Sequence, residues 1–309
     1  MKECASCNDP APLVPASPWL TFCAPRRRLA GMNKTDQIHM AEAFRARHAR
    51  RPVLLLPNAW DGLSARLFAA AGFEAMATTS GGVAWALGYP DGEATPWSEV
   101  VAATARIVRA AGIPVSADIE AGYGTTPHEV AAHVAEIIGT GVVGINLEDG
   151  MHGPIRSTED AAARIRAARE AARQVGVPIV INARCDIYFL PQQDEGDRFA
   201  ATVARCKAYL AAGADCVYPF GLRDPDTIAR LTEAVGAPVN VTGRPGMPDA
   251  DSLERLGVAR ITIASAPTLA AMSAISELAQ DLRATGRFDR LAAPLRHPDA
   301  QALFAPIKE

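Results

Sequence analysis

Residues 115–124 read VSADIEAGYG, an apolar run that ends in two carboxylates and a glycine-rich turn. Side chains two positions apart on a strand point to the same face, so Asp118 and Glu120 can face one pocket at the end of a buried strand. Paired carboxylates suit Mg²⁺, which binds proteins through one or two of them and keeps several waters. The alternative interpretation is an acidic pair that caps the next helix. The stretch therefore indicates a buried strand with a candidate metal site at its carboxyl end.

Apolar runs of this kind recur along the chain from about residue 53, and a helical pattern follows each of them. Alternating strands and helices imply a parallel sheet, because parallel strands must be joined by crossover connections. The eight repeated units favour a closed (β/α)₈ TIM barrel over an open, doubly wound α/β sheet. The predicted strands cover residues 53–57, 75–79, 115–118, 143–148, 179–184, 216–219, 239–241 and 261–264.

Composition narrows the class of protein. The chain has 309 residues, of which 49% are hydrophobic, and this is enough for one large core. A net charge of −3 without a strongly basic patch argues against a nucleic-acid partner. No apolar run reaches the roughly 20 residues that span a bilayer, so we expect no membrane association. The six cysteines do not resemble a disulfide scaffold, which favours a reducing, cytoplasmic location.

The ends of the chain lack this alternation of strands and helices. Residues 1–38 combine several prolines with a cluster of arginines, and we expect them to be a disordered N-terminal extension. Cys4 and Cys7 form a C-x-x-C there without a second ligand pair nearby, which argues against a metal or redox site. The barrel is predicted to span residues 39–290, followed by a C-terminal tail over 291–309.

In a barrel of this kind, catalytic and binding residues come from the carboxyl ends of the strands. After the second predicted strand, Thr79, Ser80 and the backbone N–H of Gly81 could bind an anionic oxygen. On the fifth predicted strand, Asn182 and Arg184 share one face. The guanidinium of such an arginine matches a carboxylate or phosphonate through its two-pronged donor geometry.

The fourth predicted strand adds a third carboxylate, because Glu148 closes it. An alternative role for Arg184 is to neutralise buried carboxylates such as Glu148 within an ion network at the top of the barrel. Together the strand ends suit a small anionic 2-oxo acid whose carbonyl chelates Mg²⁺. The metal would then stabilise an enolate as a Lewis acid.

Six short motifs occur in the order and spacing of one known family. They are PNAWD at 57–61, TTSGG at 78–82, LGYPDGE at 87–93, ADIEAGYG at 117–124, NLEDG at 146–150 and NARCD at 182–186. With these motifs the chain resembles the isocitrate lyase / phosphoenolpyruvate mutase superfamily over roughly residues 40–285. Within that superfamily it is most similar to the bacterial branch often labelled phosphonomutase-like.

The resemblance implies a barrel whose last helix is swapped between subunits, usually in a tetramer built from dimers. It also implies Mg²⁺ and the cleavage or formation of C–C or P–C bonds next to a 2-oxo acid. Carried over by position, Asp118 would bind the metal directly, while Glu120, Glu148 and Asp91 would hold metal-bound waters. Arg184 would bind the substrate carboxylate, and the TTSGG motif would hold the other carboxylate oxygen or the oxo group.

The loop after the fourth predicted strand departs from the family pattern. The lyase branch carries a Lys-Lys/Arg-Cys-Gly-His loop there, whose cysteine serves as the acid/base. This chain has EDGMHGPIRST at 148–158, which argues against isocitrate or methylisocitrate cleavage by that mechanism. The mutase branch has a longer gating loop with a lysine and an asparagine. A short loop fits a decarboxylase, a hydrolase or a simple retro-aldol lyase better, since lids commonly exclude water during such chemistry.

Three functional hypotheses remain open. The leading one is a Mg²⁺-dependent lyase-type homo-oligomer, dimeric or tetrameric, that acts on a small 2-oxo or 2-hydroxy acid through an enolate. The second is P–C chemistry, either phosphonopyruvate hydrolysis or a carboxyphosphonoenolpyruvate-type rearrangement. The third is a non-catalytic barrel that binds Mg²⁺ and an acid. For a catalytic protein, Asp91, Tyr123 and His152 are the candidates for proton transfer, in that order.

Overall fold

The computed structural model describes residues 33–150, 154–190, 195–292 and 295–305. Its strands, β1 to β9, are Leu54–Leu56, Asn58–Ala59, Met76–Thr78, Val115–Asp118, Gly144–Glu148, Val180–Cys185, Cys216–Pro219, Asn240–Thr242 and Arg260–Thr262. Its α-helices, α1 to α11, are Lys34–Arg47, Gly62–Ala70, Ser80–Leu87, Trp97–Ala111, Pro127–Ile138, Thr158–Val175, Glu195–Ala211, Pro225–Val235, Ala250–Arg255, Ala266–Thr285 and His297–Phe304.

All of the strand pairings are parallel, and neighbouring strands follow the order of the chain. β2 to β7 form a six-stranded sheet, and β9 lies between β1 and β8. β1 and β2 are separated only by Pro57, which has no N–H to donate, so they occupy one strand position that pairs with β9 and then with β3. A parallel bridge between Val217 and Val239 connects β7 to the chain that enters β8. This circular order confirms the predicted (β/α)₈ barrel, with each strand within two residues of its expected position.

Two kinds of side chain fill the protein on either side of the strands. Apolar residues pack between the strands and the surrounding helices, where Ile107 of α4, Val134 of α5 and Ile165 of α6 are buried. The barrel interior is polar instead. For example, Asn182 of β6 donates a hydrogen bond to Asn146 of β5 inside it. Side chains alternate between the two faces of a strand, so the same short segments supply both layers. The polar interior lies directly below the carboxyl ends of the strands.

The folded part of the chain is longer at both ends than the predicted barrel over 39–290. Helix α1 begins at Lys34, where the side chain of Asn33 caps it, and Gln37 donates from α1 to the carbonyl oxygens of Ile138 and Val142. The expected C-terminal tail contains α11, which packs on α2, and Arg66 of α2 donates to the carbonyl oxygen of Leu303. Residues 1–32, and with them Cys4 and Cys7, lie outside the described residues.

Helix α10 follows β9 and presents apolar side chains to the surface. Of its residues, all within the described part of the chain, Thr268 alone is buried, whereas Leu269, Met272 and Ile275 are 49%, 48% and 67% exposed. An apolar face of this kind could pack on a second subunit, and the swap of the last helix stays a prediction. Among the helices of the described ranges, none is both long and apolar enough to cross a membrane.

The turn after β4 depends on the absence of a side chain at Gly122. Its φ is +98°, and an added Cβ would lie 2.9 Å from both γ-carbons of Val130 on α5. Gly88 has a similar φ of +86°, but an added Cβ there would meet nothing within 4 Å. A side chain at Gly88 would therefore cause backbone strain alone, whereas a side chain at Gly122 would cause backbone strain and steric overlap.

We expect Gly88→Ala to lower the free energy of unfolding by about 1–2 kcal/mol, through its positive φ alone. Gly122→Ala should cost a further 1–3 kcal/mol or so, because the new methyl group overpacks the core at Val130. Urea denaturation of both variants measures the difference. Equal losses in the two variants would contradict the steric argument.

Candidate active site

A cavity of about 230 Å³ opens at the carboxyl ends of the barrel strands. Side chains from β2, β4, β5, β6, β7 and β9, from the chain after β3 and from the other strand-end loops surround it, as expected for the functional end of a (β/α)₈ barrel. The lining residues are Asn58, Thr79, Ser80, Asp91, Asp118, Glu120, Asn146, Glu148, Arg184, Phe189, Tyr218, Phe220, Thr262, Ala264 and Ser265. Most of the residues predicted from strand ends thus meet in one place.

Asp118 and Glu120 both line this cavity, although they are not on one continuous strand. β4 ends at Asp118, whose Oδ2 accepts the backbone N–H of Ser80 at 3.2 Å. Glu120 follows with a left-handed φ of 51°, which turns the chain out of the strand. Its carboxylate accepts the hydroxyl of Tyr123 at 2.6 Å and the backbone N–H of Glu93 at 2.9 Å. The turn, and not the alternation of a strand, brings Glu120 to the pocket.

The loop around Glu120 holds an unusual backbone conformation. Glu93, Glu120 and Tyr123 all have positive φ without being glycines, and the N–H of Tyr123 donates to Glu93 Oε1 at 2.7 Å. Ala264, the remaining non-glycine residue with positive φ in the described ranges, also lines the cavity. Such conformations persist only where neighbouring contacts hold them, and they concentrate at functional sites.

Tyr123 lies behind the cavity and supports Glu120. Its hydroxyl donates to Glu120 Oε1, and its ring packs on Trp97 with centroids 5.2 Å apart. Burial, followed by the nearby charge of Glu120, raises the pKa of the Tyr123 phenol, which keeps it a donor. Of the other candidates for proton transfer, Asp91 lines the cavity and His152 lies outside the described residues.

Arg184 is held between two carboxylates at the end of β6. Its guanidinium lies 2.6 Å from Glu148 Oε2 and donates to both oxygens of Asp186, at 2.6 and 2.9 Å. The ring of Phe220 stacks on it, 3.9 Å from the guanidinium carbon. The neutralising role anticipated for Arg184 is therefore present, and the side chain still lines the cavity where it could meet an anion.

A second layer of contacts fixes Asp186 from the helix side. Asp149 Oδ1 accepts the backbone N–H of Asp186 at 2.9 Å. The other oxygen of Asp149 accepts from Tyr209 at 2.6 Å and from Arg205 at 3.1 Å, both on α7. Asp149 is only 1% exposed, so this chain of contacts ties α7 to the orientation of Arg184 through buried groups.

The cavity holds more carboxyl groups than cationic side chains. Burial is the main cause that raises the pKa of Asp118 and Glu148, and it raises the pKa of Glu120 to about 7. Repulsion between the carboxylates acts in the same direction, whereas Arg184 lowers the pKa of Asp118 and Glu148. With Asp91, four carboxylates face one guanidinium among the described lining residues.

This set of donors fits Mg²⁺. Among the described residues, no group of three or more histidine, cysteine or acidic side chains is arranged to hold a metal ion. Mg²⁺ does not need one, because it keeps several waters and takes one or two carboxylates. Buried carboxylates that are not fully neutralised are the groups that such a cation would stabilise.

The residues after β3 form the first turn of α3. Thr79 shares a hydrogen bond of 2.9 Å with Ser265, and the backbone N–H of Ser80 is directed at Asp118. A Cβ on Gly81 would lie 3.1 Å from Asp91 Oδ2, so the glycine allows Asp91 to come close to this turn. These residues therefore shape the edge of the cavity on which Asp91 and Asp118 lie.

Asn182 is placed differently from the prediction. It is fully buried, does not line the cavity, and donates to Asn146 Oδ1 at 2.7 Å. Asn182 and Arg184 do share a face of β6, but Asn182 lies one layer deeper along the barrel axis. The face of a strand can be inferred from spacing, whereas the depth at which the cavity ends cannot.

Sequence reasoning missed several lining residues. Tyr218 and Phe220 follow from β7, and Thr262 and Ser265 come from β9 and its loop. The search for acids and histidines passed over the run VYPFG at 217–221. If the residues at the carboxyl end of every strand had been considered, whatever their side chains, all four residues would have been included.

Comparison with known proteins gives a consistent result. The family model described as Phosphoenolpyruvate phosphomutase matches residues 44–283. An uncharacterized protein of Mycobacterium tuberculosis is 36% identical over 261 residues, 84% of this chain and 95% of that protein. An oxaloacetate decarboxylase of Pseudomonas savastanoi pv. phaseolicola is 30% identical over 264 residues, 82% of this chain and 88% of that enzyme. A crystal structure from Burkholderia cenocepacia, provisionally named a lyase/mutase, is 40% identical in sequence and superposes with a TM-score of 0.80. The match covers 87% of this chain and 97% of the chain in that structure.

Fold and site together define a TIM-barrel enzyme of the lyase/mutase type. The chain belongs to the phosphoenolpyruvate phosphomutase family, within the isocitrate lyase / phosphoenolpyruvate mutase superfamily. The resemblance carried by the six motifs is thereby confirmed.

Replacement of Asp118 by asparagine should increase stability in the absence of metal and weaken metal binding. Without metal, we expect Asp118→Asn to unfold at a higher temperature than the wild type, because it removes a buried charge that burial and neighbouring acids disfavour. Addition of Mg²⁺ should raise the Tm of the wild type and leave that of the variant nearly unchanged. Thermal unfolding with and without MgCl₂ measures both effects. An equal Mg²⁺-induced shift in the two proteins would contradict a role for Asp118 in the metal site.

Proposed function

We propose that the protein is a Mg²⁺-dependent lyase that acts on a small 2-oxo acid with a β-carboxylate, such as oxaloacetate, and cleaves the C–C bond between the α-carbon beside the carbonyl and that carboxylate. The observation that carries this proposal is the combination of four carboxylates with one guanidinium in a small cavity. The similarity to an oxaloacetate decarboxylase at 30% identity supports the same class of substrate.

The donor set of the cavity suggests how the metal would be held. Asp118 would bind Mg²⁺ directly, and Glu120, Glu148 and Asp91 would hold its waters. When bound, Mg²⁺ would supply Lewis-acid polarisation of the 2-oxo group. All four carboxylates line the same cavity, which supports these roles.

Arg184 would bind the substrate carboxylate next to the 2-oxo group. Its position is fixed by Asp186 and Glu148, so little side-chain freedom would be lost when an anion binds. No second arginine or lysine is among the described lining residues. A β-carboxylate would therefore lie among acids without a cation of its own, and its departure as neutral CO₂ would relieve that repulsion.

The chemistry of the described lining residues favours decarboxylation over retro-aldol cleavage. A retro-aldol reaction begins with removal of a proton from a hydroxyl group by a base, whereas loss of CO₂ requires no such step. In the part of the chain that the structure covers, the lining residues offer no cysteine, lysine or histidine as that base, and the four carboxylates are the groups proposed to hold the metal and its waters. One proton must still reach the substrate carbon afterwards, and the phenol of Tyr218, which lines the cavity, could supply it. Burial raises the pKa of Tyr218, so the phenol carries its proton before the reaction.

P–C chemistry is the second candidate, because the matching family is named for a phosphomutase. A phosphonyl dianion next to a carboxylate would call for more than one cationic side chain in addition to Mg²⁺. Arg184 alone provides this charge among the lining residues described here. Release of inorganic phosphate from phosphonopyruvate would distinguish this activity from C–C cleavage.

The proposal predicts turnover that depends on both the metal and Arg184. An NMR time course with Mg²⁺ and a pool of oxaloacetate, malate-type acids and phosphonopyruvate should show pyruvate formed from oxaloacetate faster than the spontaneous reaction. EDTA should abolish the acceleration. Arg184→Lys should lower kcat/KM by about 100-fold or more, because lysine cannot reproduce the two-pronged contact. Accelerated loss of phosphonopyruvate alone would sink C–C cleavage in favour of P–C chemistry.

Tyr123→Phe tests whether this tyrosine transfers a proton or only supports Glu120. We expect kcat to stay within about tenfold of the wild type, since a general acid or base would contribute 10²–10⁴-fold. The Mg²⁺ concentration for half-maximal activity should rise, because Glu120 loses its 2.6 Å hydrogen bond. Tyr89→Phe is the matched control, as its hydroxyl donates to Glu99 away from the cavity. A loss of 100-fold or more in kcat with unchanged Mg²⁺ dependence would contradict the supporting role.

A further inference from the structure

The barrel interior contains a charged side chain that the proposed reaction does not use. Arg260 of β9 has no exposed surface. Its Nη2 donates to Asn146 Oδ1 at 3.3 Å, and its Nε and Nη1 have no hydrogen-bond partner among the described residues. A buried guanidinium without a paired carboxylate is costly, so its retention calls for an explanation beyond packing.

Arg260 determines which way the side-chain amide of Asn146 points. A guanidinium carries only N–H donors, so the atom of Asn146 that faces it must be the oxygen. This contact resolves the ambiguity between oxygen and nitrogen that side-chain amides usually leave. Asn182, the cross-strand neighbour of Asn146, donates Nδ2 to the same oxygen at 2.7 Å. Two donors from different strands therefore hold the Asn146 oxygen inside the barrel.

The nitrogen of the same amide is left for the cavity. Asn146 lines the cavity, and within the described ranges its Nδ2 donates to no protein group. An N–H group cannot bind a cation, so this end of Asn146 does not belong to the metal site. In a cavity where four carboxylates provide only acceptors or metal ligands, a fixed donor is suited to an oxygen of an anionic ligand.

We propose that Asn146 Nδ2 donates a hydrogen bond to an oxygen of the substrate, and that Arg260 is the positioning residue that keeps this donor directed at the cavity. The ligand chemistry is a small anion with oxygens on adjacent carbons, such as a 2-oxo carboxylate. The identity of the substrate rests on the proposed function, whereas the donor and its support are additional to it. Arg184 and Asn146 would then contact the same ligand from β6 and from the neighbouring strand β5.

Asn146→Asp tests the donor without a change of shape. The carboxylate keeps one oxygen for Arg260 and Asn182, so the barrel interior stays paired, but it places an acceptor where the donor was. Calorimetric titration of the Mg²⁺-loaded protein with oxalate, a non-reacting ligand of the same class, measures the effect. We expect oxalate to bind at least tenfold more weakly, while Mg²⁺ alone binds no more weakly than to the wild type.

Asn58→Asp is the matched control for added negative charge. Asn58 also lines the cavity, but both ends of its amide are committed, to the carbonyl of Thr78 at 2.8 Å and the N–H of Ile263 at 2.8 Å. We expect this variant to weaken oxalate binding by no more than threefold. Equal weakening in the two variants would assign the effect to charge alone and overturn the proposed hydrogen bond.

Arg260→Leu and Arg260→Lys test the positioning role. Without the guanidinium, Asn146 can turn its oxygen to the cavity, so Arg260→Leu should weaken oxalate binding at least fivefold and Arg260→Lys should restore part of it. The side-chain N–H₂ resonance of Asn146, assigned by its loss in Asn146→Asp, should shift when oxalate is added to the wild type. If Arg260→Leu does not fold, the Asn146→Asp titration and this resonance decide the matter.

Binding and turnover report on different proposals. Oxalate binding that Asn146→Asp weakens, in a protein that turns over no 2-oxo acid, would support the donor and count against the lyase. Turnover of oxaloacetate combined with oxalate binding to Asn146→Asp within twofold of the wild type would overturn the donor and leave the lyase intact. A resonance of Asn146 that does not move on addition of oxalate would also overturn it.

Discussion

The pairing of Arg184 with Glu148 and Asp186 is the interaction on which the rest of the site depends. β5 and β6 are neighbours in register, with Glu148 opposite Arg184, so the ion pair forms wherever the barrel forms. It places one permanent positive charge among buried acids that would otherwise repel one another. The charge that remains uncompensated is what makes the cavity suited to a divalent cation. The same guanidinium thus pairs the buried acids of the site and lines the cavity, where the proposed function would use it to bind an anion.

The fold was accessible from the sequence because the strands of this barrel are short, local apolar runs that are buried on both faces. Each run could be placed without knowledge of its partners, and the strand-end rule then brought Asp118, Glu148 and Arg184 together. Helix α1 was not apparent, since its packing includes the polar Gln37, which reaches carbonyl groups a hundred residues away. Contacts of that kind leave no periodic apolar pattern in the helix itself.

Details of the site were less accessible because they depend on geometry that only the assembled barrel supplies. The left-handed turn at Glu120 and the hydroxyl of Tyr123 behind it come from contacts with Glu93 in another loop. The depth of Asn182 depends on where side chains from opposite strands meet inside the barrel. Residue type and spacing specify which face a side chain takes, but not its height along the axis or its hydrogen-bond partners.

Asp149, held by Tyr209 and Arg205 of α7, fixes Asp186 from the outer, helical layer of the protein, and Asp186 in turn holds Arg184. Asp91 and Glu93, by contrast, lie in a loop above the strands. The contacts that hold Arg184 and the loops above the strands can therefore change independently over evolutionary time. Substitutions in the loops could redirect the reaction while recognition of a small acid persisted, which would allow related sequences on one barrel to break different bonds. Divergence of activity would then be expected to concentrate above the strands, with the contacts between α7 and Asp149 changing more slowly.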